Sequence, residues 1–196
     1  MKEILPGVQH WSATHPGIGK LVHSYAVGTT LIDPLLGPDG LDALPGPVSQ
    51  ILLTNRHHYR SSGEIAERFR CPVRCHHAGL HEFAGTDRVV EGFEWGDRLA
   101  DDVVAVKLDA ICDEETVLHI AGGDGALAFA DGLVEWEGRL GFVPDFLLGD
   151  DPQDVKARLH EGLSALLDLE FDTLLLAHGE PVVGGGKDAL RRFLAG

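Results

Sequence analysis

The 196-residue chain has few cysteines, few aromatics, few bases and no long apolar run. Cys71, Cys75 and Cys112 are too few, and of the wrong parity, for a disulfide framework. Lys and Arg total 16 against 31 Asp and Glu, a formal net charge of −15 at pH 7. An anionic surface repels phosphate backbones, so neither nucleic acid nor an anionic membrane is expected as a partner. The apolar runs fall far below the ~20 residues that a spanning helix needs. The N-terminus, from Met1 to Trp11, lacks the apolar stretch of a secretory signal, and a cytoplasmic protein is expected. There is no Gly-x-Ser-x-Gly elbow and no dinucleotide fingerprint followed by an acid. Gly184-Gly185-Gly186-Lys187-Asp188 resembles a phosphate loop only in outline. Its leading glycine falls at Pro181, and Asp188 replaces the hydroxyl that would hold magnesium.

What is present is an ordinary globular composition, 44% hydrophobic and 24% charged, enough for one domain spanning residues 1–196. Short apolar runs recur at Leu21-Val22 through Leu31-Ile32, Ile51–Leu53, Val103–Leu108, Val117–Ile120, Ala126–Ala130 and Leu174–Ala177. Turn residues bound each run, and each is too short for a buried helix, so each predicts a strand. Ser61 or Ser62 opens a helix carrying Ile65, Ala66 and Phe69, which stops before Cys71-Pro72. Asp151-Pro152 opens a second, with Val155, Leu159, Leu163, Leu166 and Leu167 on one stripe. A third follows Gly184-Gly185-Gly186 and turns Ala189, Leu190 and Phe193 inward. Strands mixed with helices predict a layered α/β architecture.

Chemistry concentrates where apolar strands run into polar residues. The densest case is Leu53-Thr54-Asn55-Arg56-His57-His58-Tyr59-Arg60-Ser61-Ser62-Gly63. Asp131 follows Ala126–Ala130 and precedes Gly132; His178 follows Leu174–Ala177 and precedes Gly179. Taken singly, Asp-Gly and His-Gly are good turn pairs. Taken together, these segments resemble the metallo-β-lactamase fold signature, Leu-Thr-His-x-His-x-Asp-His-x-Gly-Gly. Leu31-Ile32-Asp33-Pro34 resembles the family's early strand ending in Ile-Asp. Glu115-Thr116-Val117-Leu118 resembles the strand after its third metal-binding histidine. Ala128-Phe129-Ala130-Asp131 resembles the segment with the metal-bridging aspartate, and Ala177-His178-Gly179-Glu180-Pro181 the Gly-His-Gly-x-Pro segment. The resemblance runs from about residue 5 to 195 and implies a four-layer αββα sandwich, similar to the small glyoxalase-II-like hydrolases.

The family holds two metals, usually zinc, whose activated hydroxide attacks an ester, thioester, amide or phosphodiester. By this resemblance three ligand positions persist: His57, Asp131 and His178. Asn55 replaces the first histidine, Tyr59 the aspartate, Arg60 the closing histidine and Ile111 the third histidine. An amide oxygen is a poor zinc donor, isoleucine offers none, and the permanent charge of Arg60 opposes a cation. Arg60 could instead pair with Asp131. Two readings follow. In the first the dinuclear zinc centre is gone, no cofactor is favoured, and His57, Tyr59, Arg60, Asp131 and His178 form a non-catalytic pocket or bind a small molecule. In the alternative, one zinc, iron or manganese ion sits on His57, Asp131 and His178, with Cys112 or His58 as further donors, in an ester or thioester hydrolase. A register shift of one would bring Cys112 to the third-histidine position. A second cluster, Cys71, Cys75, His76, His77 and His81, meets no standard zinc spacing, and a buried Cys75 on a short strand is expected. His10, His15, His23, His119 and His160 are expected to be structural. The sequence leaves oligomeric state and substrate open.

Overall fold

Each apolar run predicted as a strand is strand, except that Leu21 through Ile32 forms two, Leu21–Val27 and Thr30–Ile32, joined by a turn at 28–29. The computed structural model describes residues 1–196, which fall into two units, Met1–Glu94 and Trp95–Gly196. In the first unit seven strands lie across one sheet in chain order: β1 (Lys2–Leu5), β2 (Val8–Thr14), β3 (Leu21–Val27), β4 (Thr30–Ile32), β5 (Gln50–Leu52), β6 (Val73–His76) and β7 (Glu91–Phe93). β1 to β4 pair antiparallel and β4 to β7 parallel. Parallel neighbours need a crossover, and helix α1 (Ser62–Phe69) supplies it between β5 and β6. Its Ile65 is buried among Ile51, Leu53, Val73 and Cys75, with Ala66 and Phe69 packed beside it. Truncating such a residue to alanine costs about 2–5 kcal/mol. Ser61 is the N-cap residue, but its hydroxyl accepts from the N–H of Leu36 at 3.1 Å instead of capping the helix. The helix stops at Arg70, in the left-handed region at φ 54, directly before Cys71-Pro72.

The second unit holds a six-stranded sheet. Its strands are β8 (Arg98–Ala100), β9 (Val103–Lys107), β10 (Thr116–Ile120), β11 (Ala126–Phe129), β14 (Thr173–Leu176) and β15 (Val182–Val183), ordered β15-β14-β11-β10-β9-β8. β11 and β14 are its one parallel pair, bridged by helix α2 (Pro152–Leu166); the others are antiparallel. A separate hairpin joins β12 (Val134–Trp136) to β13 (Arg139–Gly141). Asp151 caps α2 by accepting from the N–H of Asp154 at 3.1 Å, and Pro152 occupies the first turn, where its missing N–H costs nothing. The stripe Val155, Leu159, Leu163 and Leu166 is buried with Leu127, Phe129, Leu174 and Leu176. Leu167 lies one residue past the helix and packs at the margin of that core. Helix α3 (Gly186–Ala195) buries Leu190 and sets Phe193 edge-on to Phe142 at 5.1 Å. No helix is long and apolar enough to cross a membrane.

Two strand pairings position the polar residues. In the first unit the parallel register matches Ile32 with Leu52. Asp33, one residue past β4, and Thr54, two past β5, therefore leave the sheet at one edge. In the second unit it matches Phe129 with Leu176. Asp131 and His178 each lie two residues beyond, so they too emerge side by side.

Candidate functional site

Asp33 is the hub of the first unit's polar cluster. It is 2% exposed, and its carboxylate accepts from the N–H of Thr54 at 2.9 Å, the Thr54 hydroxyl, and Nδ1 of His58 at 2.8 Å. Burial alone would raise its pKa. The charge and hydrogen bond of His58, the charge of Arg60 and the Thr54 hydroxyl outweigh it, and the carboxyl is held below its ordinary range. Asp33 also adopts φ +46, an uncommon conformation for a residue with a side chain.

Around this hub the signature residues separate. Asn55 is buried and caps the short 3-10 turn Arg56–Tyr59, its amide oxygen accepting from the N–H of His57 at 3.0 Å. His57 itself is exposed, whereas His58 is 5% exposed. Adjacent residues of a 3-10 turn point about 120° apart, so only one of two neighbouring histidines can face Asp33. Tyr59 sets its ring tilted against Phe83, centroids 5.6 Å apart, beneath the Arg88 guanidinium at 4.6 Å, and packs at the margin of the first unit's core. Burial raises the pKa of its hydroxyl, with Asp87 adding to the rise and Arg88 opposing it. Arg60, at φ +42, donates through Nη1 to the carbonyls of His23 at 2.8 Å and Asp33 at 2.7 Å.

In the second unit His178 Nε2 and Asp131 Oδ1 lie 3.1 Å apart, both side chains partly exposed. Two glutamates hold the loops that carry them. Glu115, wholly buried, accepts through Oε1 from the N–H groups of Asp131 at 3.0 Å and Gly132 at 2.6 Å. Burial pushes its carboxyl well above the ordinary range, helped by the charges of Asp131 and Glu114 and opposed by the two backbone bonds. Glu135 donates its N–H to the carbonyl of His178 at 2.9 Å, and its carboxylate accepts from Glu180 at 2.9 Å and from Gly138. Gly179, between them, has φ +109, and a Cβ there would meet the Glu135 carbonyl oxygen at 2.5 Å. Ile111 packs against the second unit's core, and Cys112 is a half-buried cysteine outside any disulfide, whose carbonyl accepts from the N–H of Glu115 at 3.1 Å.

The second cysteine–histidine cluster is taken up by local bonds. Cys75 is buried on β6, as expected, and Cys71 is a free thiol whose pKa burial raises. His76 and His77 both meet the Glu94 carboxylate, at 3.3 and 2.9 Å, and His81 Nδ1 lies 2.7 Å from the carbonyl of Ala78. Each unit by itself brings metal-type donors beside a carboxylate: His58 next to Asp33 in the first, and His178 next to Asp131 in the second. His58 stands out only once Asp33 is seen beside it. Glu135 carries no motif, and Glu115 enters the resemblance only as the first residue of the segment Glu115–Leu118; the sequence trace of their bracing role is a glycine after each residue they hold.

No family model matches the chain, and no curated protein matches it. Solved structures do, over nearly its full length. A metallo-beta-lactamase family protein from Thermus thermophilus aligns with 98% of this chain and 80% of its own, at a TM-score of 0.70 and 18% identity. A Beta-lactamase domain protein from Burkholderia ambifaria covers 99% of this chain and 75% of its own, at a TM-score of 0.69 and 17% identity. TTHA1623, solved in a di-iron-bound form, covers 93% and 99% at a TM-score of 0.69 and 22% identity. The chain thus has the α/β fold of metallo-β-lactamase superfamily proteins, and at these identities the likeness is one of fold.

Proposed function

We propose that this protein binds one divalent metal ion through His58, Asp131 and His178, and lacks the donors for a second. The observation that carries the reading is the buried Asp33–His58 bond of 2.8 Å. A carboxylate on one ring nitrogen fixes the tautomer and orientation of a metal-binding imidazole and leaves the other nitrogen as the donor. With Nδ1 bound to Asp33, that donor is Nε2. His178 and Asp131, already 3.1 Å apart, add a second imidazole and a carboxylate. Two histidines and one carboxylate with open positions suit zinc, iron or manganese. His57, which the resemblance aligns with a ligand, is exposed and takes no part in this proposal.

The remaining positions do not fit a second ion. The amide oxygen of Asn55 is engaged by the His57 N–H, Ile111 has no donor, Tyr59 is packed against Phe83, and Arg60 is permanently charged. A single bound ion supplies Lewis acidity and a water of lowered pKa, chemistry that suits a small ester or thioester. The chain's own contribution is orientation: Asp33 sets His58, and Glu115 and Glu135 brace the loops of Asp131 and His178.

A second reading has its own observation. The Arg60 guanidinium is fixed by the carbonyls of His23 and Asp33, in the loop that carries His58. A fixed cation there would disfavour a metal, and the protein would be a metal-free binder of a small anion. Metal analysis of chelator-free protein, with zinc, iron(II) and manganese titrations, decides. One equivalent is expected, lost in His58→Ala and His178→Ala and kept in His57→Ala. Protein that stays metal-free in excess zinc overturns the proposal in favour of the second reading.

A further inference from the structure

We infer that Glu115 is the positioning residue for Asp131: its carboxyl oxygen fixes the backbone turn that aims the Asp131 side chain. The inference rests on the one-metal reading and adds to it a residue that supplies no donor itself. The geometry starts from the sheet. β10 and β11 pair antiparallel with Leu118 opposite Ala128. Continuing that register by three residues sets Glu115 opposite Asp131, just past the last strand pairing. There a glutamate side chain reaches the two successive N–H groups of Asp131 and Gly132, at 3.0 and 2.6 Å.

Glu115 is 0% exposed, so in the folded protein its carboxyl, and not bulk water, is the acceptor for these two N–H groups. The approach also depends on Gly132. A Cβ there would lie 2.7 Å from Leu108 Cδ2, 3.0 Å from Glu115 Oε1 and 3.1 Å from Leu159 Cδ2. The Asp131 side chain, by contrast, is 25% exposed, so packing alone does not set its direction. Its backbone orientation does, and Glu115 sets that orientation. A glutamate that only satisfied two amides would affect stability. One that positions Asp131 affects the metal affinity of the folded protein as well.

The test compares wild type, Glu115→Gln, Glu115→Ala and, as a control destabilised in the other unit, Ile65→Ala. Zinc affinity is measured calorimetrically on folded protein, and amide exchange of Asp131 and Gly132 by NMR. Glutamine keeps the accepting oxygen, so Glu115→Gln should bind zinc within about threefold of wild type. Glu115→Ala should bind about 10–100-fold more weakly, the range seen when outer partners of metal ligands are removed. Its Asp131 and Gly132 amides should exchange faster, while Ile65→Ala keeps wild-type zinc affinity. Wild-type affinity in Glu115→Ala, or equal losses in the glutamine and alanine variants, overturns the inference. If wild type binds no metal, the one-metal reading falls and the exchange arm decides alone. Unchanged protection in Glu115→Ala then removes Glu115 as the anchor, and accelerated exchange retains it.

Discussion

Asp33 grips His58 by Nδ1 at 2.8 Å, and the same carboxylate is held by the N–H and hydroxyl of Thr54. Sequence separation hides the relationship, because the two residues are 25 positions apart. Sheet topology creates it: β4 and β5 are parallel neighbours, so the residues just past each strand meet at one edge. Asp33→Ala leaves the imidazole and the Thr54 N–H without their acceptor inside the unit. Leaving buried polar groups without an acceptor in this way costs about 1–3 kcal/mol. Urea unfolding at pH 7 checks it; a loss below about 1 kcal/mol would show that the network contributes little.

The acid limb of stability follows from the same carboxylate. Its folded pKa is lowered, His58, Arg60 and Thr54 outweighing the effect of burial. The folded state therefore binds its proton less readily than the unfolded chain. The stabilisation is present above the ordinary aspartate pKa of about 3.9 and fades as pH falls through the lower folded value. Asp33→Asn has no such proton to take up. Denaturation midpoints measured from pH 5 to pH 2 should fall more steeply for wild type than for Asp33→Asn. Parallel curves would contradict the assignment.

The parts of this molecule legible in the sequence are those where pattern and burial agree. Ala126–Phe129 and Thr173–Leu176 are buried along their whole length and bounded by turns, so β11, β14 and the polar residues beyond them stand out. Helix α2 announces itself through Asp151-Pro152 and a continuous stripe. β1 and β7 do not: Lys2–Leu5 buries no residue and Glu91–Phe93 only Phe93, and pairing with neighbours rather than apolar alternation makes them strands. The choice between His57 and His58 was equally hidden, since a 3-10 turn presents adjacent residues in different directions and Asp33 alone selects one. Glu115 was masked by its neighbours. It opens the segment Glu115–Leu118, but two further acids precede it in Asp113-Glu114-Glu115 and nothing in that run signals burial, yet Glu114 and Glu115 are both fully buried.

That burial gives Glu115 a pH signature opposite to that of Asp33. Its folded pKa is raised, burial being the main cause and the Asp131 charge adding to it. The folded state holds the proton after the unfolded chain has released it, so stability falls as pH rises from the ordinary glutamate value of about 4.3 toward the folded value. The slope in that window is about 1.4 kcal/mol per pH unit. Glu115→Gln keeps the accepting oxygen and has no proton to lose. It should match wild type near pH 4 and exceed it increasingly as pH rises, levelling once the folded carboxyl ionises. Guanidinium unfolding of both proteins across pH 4–8 gives the comparison, and a constant difference would refute the raised pKa.

Gly179 gives the sharpest steric prediction. The residue sits at φ +109, where a side chain is strained, and a Cβ there would meet both the Cβ and the carbonyl oxygen of Glu135 at 2.5 Å. Neither is the far end of a flexible chain: the Glu135 backbone is tied to the carbonyl of His178 at 2.9 Å. Gly179→Ala must therefore push the hairpin β12–β13 away from the His178 loop. A backbone clash added to a positive φ should cost about 2–4 kcal/mol, above the usual range for a surface glycine. Because Glu135 also holds the N–H of Glu180 at 2.9 Å, the displacement moves both residues flanking Gly179. Zinc affinity should fall together with stability in Gly179→Ala, whereas Gly123→Ala, at an open turn with φ +62 elsewhere in the second unit, should lower stability alone. Calorimetry and thermal unfolding of the two variants separate these effects, and a Gly179→Ala protein with wild-type stability would show that the loop yields without cost.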